Sequence, residues 1–361
     1  MNAFTVTELK RPGLLSRLVG SQPRENAFIE IRNLLATKPS KELSAADVIN
    51  ILSTYRVARE DAMQELLAIY QQAALFAVRD KALSPEERAD LKQLRYVLDL
   101  DDDGADEVEA TVLRAVYRGE LKRALSDQML SDDEKRTLSL MAENLALPEA
   151  VRLRIYKEET QAVVQEAYKQ AMSDRRLTED EDQRLVAMAK NLEVEVTHDA
   201  GAQELIQRFR ALARIDAGAL PQVSAPIRLQ RGEVCHTQYA CSLSELRTVT
   251  KRINYSGTSG RIRIMKGLSW RYGSVAVKRI TAEEMRRLDS GTLYITNKRL
   301  LFNGALKSVQ TPLKKIIHFT LYNDGLQIEK DSGRDQFFAG QGDLEMIGTI
   351  LESALRIQQQ A

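Results

Sequence analysis

Cysteine, histidine and tryptophan are scarce in this 361-residue chain, which has two, three and one of them. Two cysteines exclude a disulfide framework and suit a reducing compartment. The scattered histidines offer no nucleophile–base pair, and there is no Gly-rich phosphate loop. A non-enzymatic role without a cofactor is therefore expected. No run of about 18 apolar residues occurs, which argues against a transmembrane helix. Met1–Gly20 carries Lys10, Arg11 and Arg17 but no continuous apolar core, so it does not read as a secretory signal. The expected setting is the cytoplasm, extending to its membrane surface.

What is present is ordinary for a folded protein: 43% hydrophobic and 29% charged residues, with a length that suggests two or three domains. The net charge of +1 hides an asymmetry. From Ile227 onward 21 basic residues face 12 acidic ones, a net of +9, whereas residues 1–226 hold 31 basic and 39 acidic, a net of −8. Such halves suit different partners, or each other.

The acidic half is organised by a repeat. Asp80-Lys-Ala-Leu83-Ser84-Pro-Glu-Glu87 recurs as Asp127-Gln-Met-Leu130-Ser131-Asp-Asp-Glu134 and as Asp174-Arg-Arg-Leu177-Thr178-Glu-Asp-Glu181, each a step of 47 residues on. Ser84, Ser131 and Thr178 stand three residues before Glu87, Glu134 and Glu181, the spacing of a capping box, and the preceding leucine sits where a hydrophobic staple would pack. Apolar residues then follow at steps of 3 and 4. Each unit reads as a helix, a turn and a capped helix that must stack on its neighbours. Leu43-Ser44-Ala-Ala-Asp47 imitates the pattern one unit earlier, as a diverged terminal copy. The predicted layout is an irregular segment over 1–24, a helical repeat domain over 25–215 with units near 43, 83, 130 and 177, a linker over 216–226, and a β domain over 227–358. The weakly amphipathic first segment is expected to pack on the helices.

Beyond the linker the apolar period changes to two. Gly291–Ile295, Arg299–Phe302, Ile316–Tyr322, Leu326–Glu329 and Gln336–Phe338 are rich in β-branched and aromatic residues. Asn297-Lys298, Asn303-Gly304, Asn323-Asp-Gly325 and Asp331-Ser-Gly333 read as turns between them. Asp343 would cap a last amphipathic helix. The expected fold class is multidomain α + β, with an all-α repeat array followed by a small helix-capped barrel.

Gly291-Thr-Leu-Tyr-Ile-Thr-Asn-Lys-Arg-Leu-Leu-Phe-Asn-Gly304 resembles the bacterial pleckstrin-homology-like (GRAM-like) domains, whose hallmark is two strands around a Thr-Asn-Lys-Arg turn. The likeness covers Leu229–Ile357. It implies a bent barrel plugged at one end by the C-terminal helix, and binding or scaffolding rather than catalysis. The stretch from Arg247 to Asp289 is longer than a minimal domain of this type. The helical half is similar to TerB-type stress-protein domains, whose inter-helix turns carry Asp-Gly, although Gln128 and Arg175 replace the glycine here. A HEAT-like array is the competing reading.

Several side-chain groups are candidates for chemistry. Lys251, Arg252, Arg261, Arg263, Lys266, Arg271, Lys278 and Arg279 surround Trp270 and Tyr272, and Lys298, Arg299, Lys314 and Lys315 add charge. Arg261 and Arg263 would share one strand face. Such a basic face suits anionic headgroups, at about 1 kcal/mol per basic residue near the surface, or the acidic helical half; nucleic acid is the less expected partner. Asp99, Asp101 and Asp103 with Gly104 imitate the start of a calcium loop, but Asp106 and Ala110 stand where an apolar residue and a bidentate Glu belong. Asp127, Glu134, Asp174 and Glu181 could hold a divalent cation, although capping already explains both glutamates. Cys235, His236 and Cys241 are close in sequence but lack the ligand number of a zinc site. The expected function is that of an adaptor or scaffold binding a protein partner, an anionic membrane surface, or both. The alternative is a TerB-like stress-response protein binding metal through its acidic turns.

Overall fold

The computed structural model describes residues 3–11, 22–248, 260–265, 268–272 and 283–360. The chain divides into two compact units: residues 1–164 with 190–194, and residues 165–189 with 195–361.

The first unit contains α1 (Glu25–Thr37), α2 (Ala45–Thr54), α3 (Arg59–Ala77), α4 (Pro85–Val97), α5 (Asp102–Ala124), α6 (Asp132–Asn144) and most of α7 (Glu149–Ala171). Capping boxes open α2, α4 and α6. At α4 the Ser84 hydroxyl accepts from the Glu87 amide at 3.2 Å, and the Glu87 carboxylate accepts from the Ser84 amide at 3.0 Å. The same reciprocal bonds join Ser131 to Glu134. The staple leucines are buried and also tie one 47-residue repeat to the next. The Leu83 amide donates to the Asn144 carbonyl, and the Leu130 amide to the Asn191 side chain at 2.7 Å. Residues 3–11 lie along α1, where Asn26 and Asn33, two turns apart on one face, each exchange a pair of bonds with the backbone of Lys10 and Thr7.

The repeat also has a conformational signature. Lys81, Gln128 and Arg175 adopt φ of 69°, 70° and 65°, and Asp99, Ala146 and Glu193 adopt 51°, 50° and 57°. Both series advance by 47 residues. The second closes helices: after α4 the Asp99 amide bonds Tyr96 O and the Leu100 amide bonds Arg95 O, both at 3.1 Å, which is a Schellman motif. Gln128 is an exposed, non-glycine residue in the left-handed region. Relief of that strain by glycine is worth about 1–2 kcal/mol, offset by about 0.5–1 kcal/mol of added unfolded-chain entropy. Gln128→Gly is therefore expected to raise stability by a few tenths to about 1 kcal/mol in urea unfolding, and Gln128→Val to lower it.

The second unit contains the end of α7, α8 (Glu179–Asn191, up to Ala189), α9 (Ala200–Asp216), the strands and the last helix, α10 (Leu344–Gln360). Thr178 and Glu181 repeat the capping bonds, and the Leu177 amide donates to Phe209 O. The strands are β1 (Cys235–Thr248), β2 (Gly260–Met265), β3 (Leu268–Tyr272), β4 (Glu283–Thr296), β5 (Arg299–Gly304), β6 (Ser308–Pro312), β7 (Ile316–Tyr322), β8 (Gly325–Lys330) and β9 (Gln336–Ala339). Seven of them form one antiparallel sheet in the order β6-β5-β4-β1-β9-β8-β7, and β2 and β3 pair separately. The expectation of a closed barrel is corrected here. The sheet is open, with β6 and β7 as its two edges. These strands follow each other in the chain through the tight turn Leu313–Lys315, and α10 packs over the core with Ile347, Ile350, Leu351 and Ala354.

The predicted boundary at 216–226 is not where the compact units divide, and the contacts say why. Ile215 of α9 belongs to the core of the β sheet, and Leu220 packs against it. Buried Ser353 of α10 donates to Ile215 O at 2.9 Å. Arg208 of α9 makes paired bonds to Asp343 and reaches Glu345, while Arg175 and Arg176 also meet Glu345. The segment after α9 is a strap: the Val223 amide bonds Cys235 O, and Ala225 and Ile227 pack on Cys235, Tyr294 and Leu301.

Candidate functional site

The Thr296-Asn297-Lys298-Arg299 turn looks like a recognition motif in sequence, yet its side chains are used to build the domain. Thr296 accepts from the amides of Lys298 and Arg299 and donates to Glu233. Asn297 accepts from the Val234 amide at 2.9 Å and donates to Gly232 O. The half-buried Lys298 donates to Arg231 O at 2.6 Å. Arg299 is buried and grips both oxygens of Glu233 at 2.8 and 3.0 Å, with further bonds to Gln310 and Arg228 O. Arg299 thus contributes no free charge to a ligand face.

The acidic turns are similarly occupied. Asp99 is the left-handed corner after α4 and pairs with Arg59 at 2.8 Å. Asp101 caps α5 by accepting from the Gly104 amide, and Asp103 is exposed in its first turn. Asp127 and Asp174 each accept from the amide two residues on, and Glu134 and Glu181 serve the caps. Ser131 holds the Glu134 carboxyl below the usual range. Among the described residues no three His, Cys, Asp or Glu side chains converge as a metal site requires. Cys235 and Cys241 are buried and unpaired, and burial pushes the Cys241 thiol up to about 12. A register shift between Cys235 and Thr237 places the two cysteines in separate apolar clusters, not on one strand face as the alternation predicts.

What the sheet does gather lies at one end. β1 and β4 continue as a paired ribbon, with Ser244 opposite Arg287 and Thr248 opposite Glu283. The β5–β6 turn meets this ribbon at Asp289, whose carboxylate accepts from the amides of Leu306, Lys307 and Ser290 at 2.7–2.8 Å. The Leu306 amide foremost, with those of Lys307 and Ser290, holds this carboxyl below the usual range despite its burial. The turn thereby presents Leu306, 85% exposed, with Lys307 beside it and Arg287 nearby on the ribbon. Arg334 of the β8–β9 turn reaches the same ribbon through Glu245 at 3.2 Å. Sequence reasoning missed Arg287, Leu306, Lys307 and Arg334; the Asp289-to-turn bonds that group the first three span 17 and 18 residues and have no periodic signal.

From the tip of the ribbon the chain leaves at Thr248 and returns at Glu283. Residues 249–282 contain eight basic residues and no acidic one, which is nearly all the excess charge of the β half. Within this insertion β2 and β3 pair with Arg261 opposite Arg271, Ile262 opposite Trp270 and Arg263 opposite Ser269. Lys251, Arg252, Lys266, Lys278 and Arg279 lie outside the described residues. Elsewhere, a cleft of about 420 Å³ in the first unit is lined by Lys81, Glu120, Arg123, Glu134 and Met141. One of about 440 Å³ in the second is lined by Arg175, Glu204, Arg208, Phe209 and Asp343, with no nucleophile–base pair. Among the described residues no helix is long and apolar enough to cross a membrane.

No protein-family model matches the chain, and comparison with curated proteins finds no significant match.

Proposed function

We propose that this chain is a non-enzymatic adaptor whose β domain, of pleckstrin-homology-like type, docks on an anionic membrane surface while the helical repeats offer a face to a protein partner. The topology supports the resemblance: two antiparallel meanders, β1-β4-β5-β6 and β7-β8-β9, are joined through β1 and β9 and closed by a C-terminal helix. The observation that carries the reading is the insertion of residues 249–282, with eight cations and no anion, between two paired strands. Arg261 and Arg271 are register partners in the β2–β3 pair. Each basic residue near an anionic surface contributes about 1 kcal/mol, so three or four in contact would give useful peripheral binding. The acidic helix junctions give the metal-binding alternative no comparable support, because most of their carboxylates already cap helices or pair with cations.

The test is cosedimentation of the full chain with phosphatidylcholine vesicles, with and without phosphatidylglycerol. Binding is expected only with the anionic lipid. It should vanish near about 1 M salt, where charges are screened beyond about 3 Å. The double substitution Arg261→Glu with Arg271→Glu should weaken it by at least about tenfold. An intact protein that ignores anionic vesicles at low salt would remove the proposal.

A further inference from the structure

The two edges of the open sheet are unlike. β6 is short, polar and ends in Pro312, features that discourage another strand from adding. β7 reads Ile316-Ile-His-Phe-Thr-Leu-Tyr322, with no proline, lysine, arginine, aspartate or glutamate, and among the described residues it pairs only with β8. Its Ile317 is 69% exposed and Leu321 40%.

The register fixes which backbone groups face outward. Tyr322 pairs with Gly325 across a two-residue turn, so this closing pair is hydrogen-bonded. Bonded and non-bonded pairs alternate along an antiparallel ladder. Thr320 and His318 therefore bond to β8, while the amides and carbonyls of Phe319 and Leu321 point away from it. Ile317 sits at a register shift and has no partner on β8. Among the described residues no other backbone bond reaches residues 317–321.

We propose that β7 is a homotypic docking edge, at which a second copy of this chain adds its own β7 antiparallel about a two-fold axis through Phe319. That axis uses the outward amides. It sets Ile317 opposite Leu321 of the second copy, twice, so the exposed apolar side chains cover each other. It also sets exposed Lys314, just before the strand, opposite exposed Asp324, just after it, again twice. An axis through Thr320 would use outward amides too, pairing Phe319 with Leu321, but it sets Lys314 opposite Leu326 and Asp324 opposite Ile316, so neither charge meets its opposite. Axes through Ile317 or Leu321 leave Asp324 or Lys314 without an opposite charge. A two-fold interface must be self-complementary, and a strand with a cation at one end and an anion at the other is so only when antiparallel to itself.

Sedimentation of the full chain over a range of concentrations tests this. A reversible monomer–dimer equilibrium is expected. Lys314→Glu and Asp324→Lys should each weaken dimerisation by about fivefold, since each places two like-charge pairs across the seam. The double variant should restore it, and Ile317→Lys should abolish it. All three positions are exposed, and unchanged thermal unfolding of the monomers would separate this effect from misfolding. A chain that stays monomeric, or a dimer indifferent to the charge swap, overturns the inference.

Discussion

Residues 227–361 produced alone are expected to be poorly folded and to aggregate, whereas residues 165–361 should unfold cooperatively. The shorter piece begins after the strap and lacks α9. It loses Ile215, which is 3% exposed in the sheet core and worth about 1.5–3 kcal/mol. It also loses Leu220 and the Ile215 carbonyl that receives the buried Ser353 hydroxyl. His236, buried at 7% exposure, loses the Pro221 carbonyl 2.7 Å from its Nδ1, while its Nε2 has no partner among the described residues to begin with. A buried polar group stranded in this way costs about 1–3 kcal/mol. Asp343 and Glu345 lose Arg208 and the arginines of the α7–α8 turn. Together these approach the whole stability of a domain, about 5–15 kcal/mol. Circular dichroism melts and gel filtration of the two fragments decide the matter. A sharp transition for 227–361 at the midpoint of the longer fragment would show that α9 is dispensable. Vesicle binding is for the same reason measured on the intact chain.

The contrast between what the sequence discloses and what it hides follows the range of the interaction. Capping boxes act between residues i and i+3, so Ser84–Glu87, Ser131–Glu134 and Thr178–Glu181 can be read directly, and the 47-residue step repeats them. The left-handed corners at Lys81, Gln128 and Arg175 are equally periodic but silent, because no glycine marks them. Strands and turns of the β half are visible in its period of two; closure is not, since it depends on where the chain turns after Pro312 and on α10 filling the core. Arg299 looks like one cation of a basic surface because its partner Glu233 lies 66 residues earlier. The linker, with its prolines and lack of periodicity, reads as a boundary. It is instead a fixed strap, held by Val223 and Pro221 against Cys235 and His236, partners that no local pattern announces.

The Glu233–Arg299 pair carries the second large expected effect. Both side chains are almost fully enclosed, at 0% and 10% exposure, and their bonds join the strap, the β4–β5 turn and β6 through Gln310. Removing one partner of a buried ion pair leaves an uncompensated charge and costs about 3–5 kcal/mol. Glu233→Ala should therefore destabilise the protein by that amount in urea unfolding at neutral pH, and Glu233→Gln by somewhat less. Substituting both residues, Glu233→Leu with Arg299→Met, should cost less than Glu233→Ala alone, because no charge is left unpaired. The pH dependence has a definite sign. Burial alone would push the Glu233 carboxyl up, but Arg299, the Gln230 amide and Thr296 outweigh it and hold the carboxyl below its ordinary value. Its folded-state pKa is thus lower than the unfolded value of about 4.3. The pair's contribution is fully present above the unfolded value and is lost as pH falls through the folded one. The gap in stability between the native protein and Glu233→Gln should accordingly be wide at neutral pH and close in acid, as the native glutamate takes up a proton. A gap that stays constant from neutral to acidic pH would mean that the carboxylate's shape, and not its charge, holds this corner of the sheet.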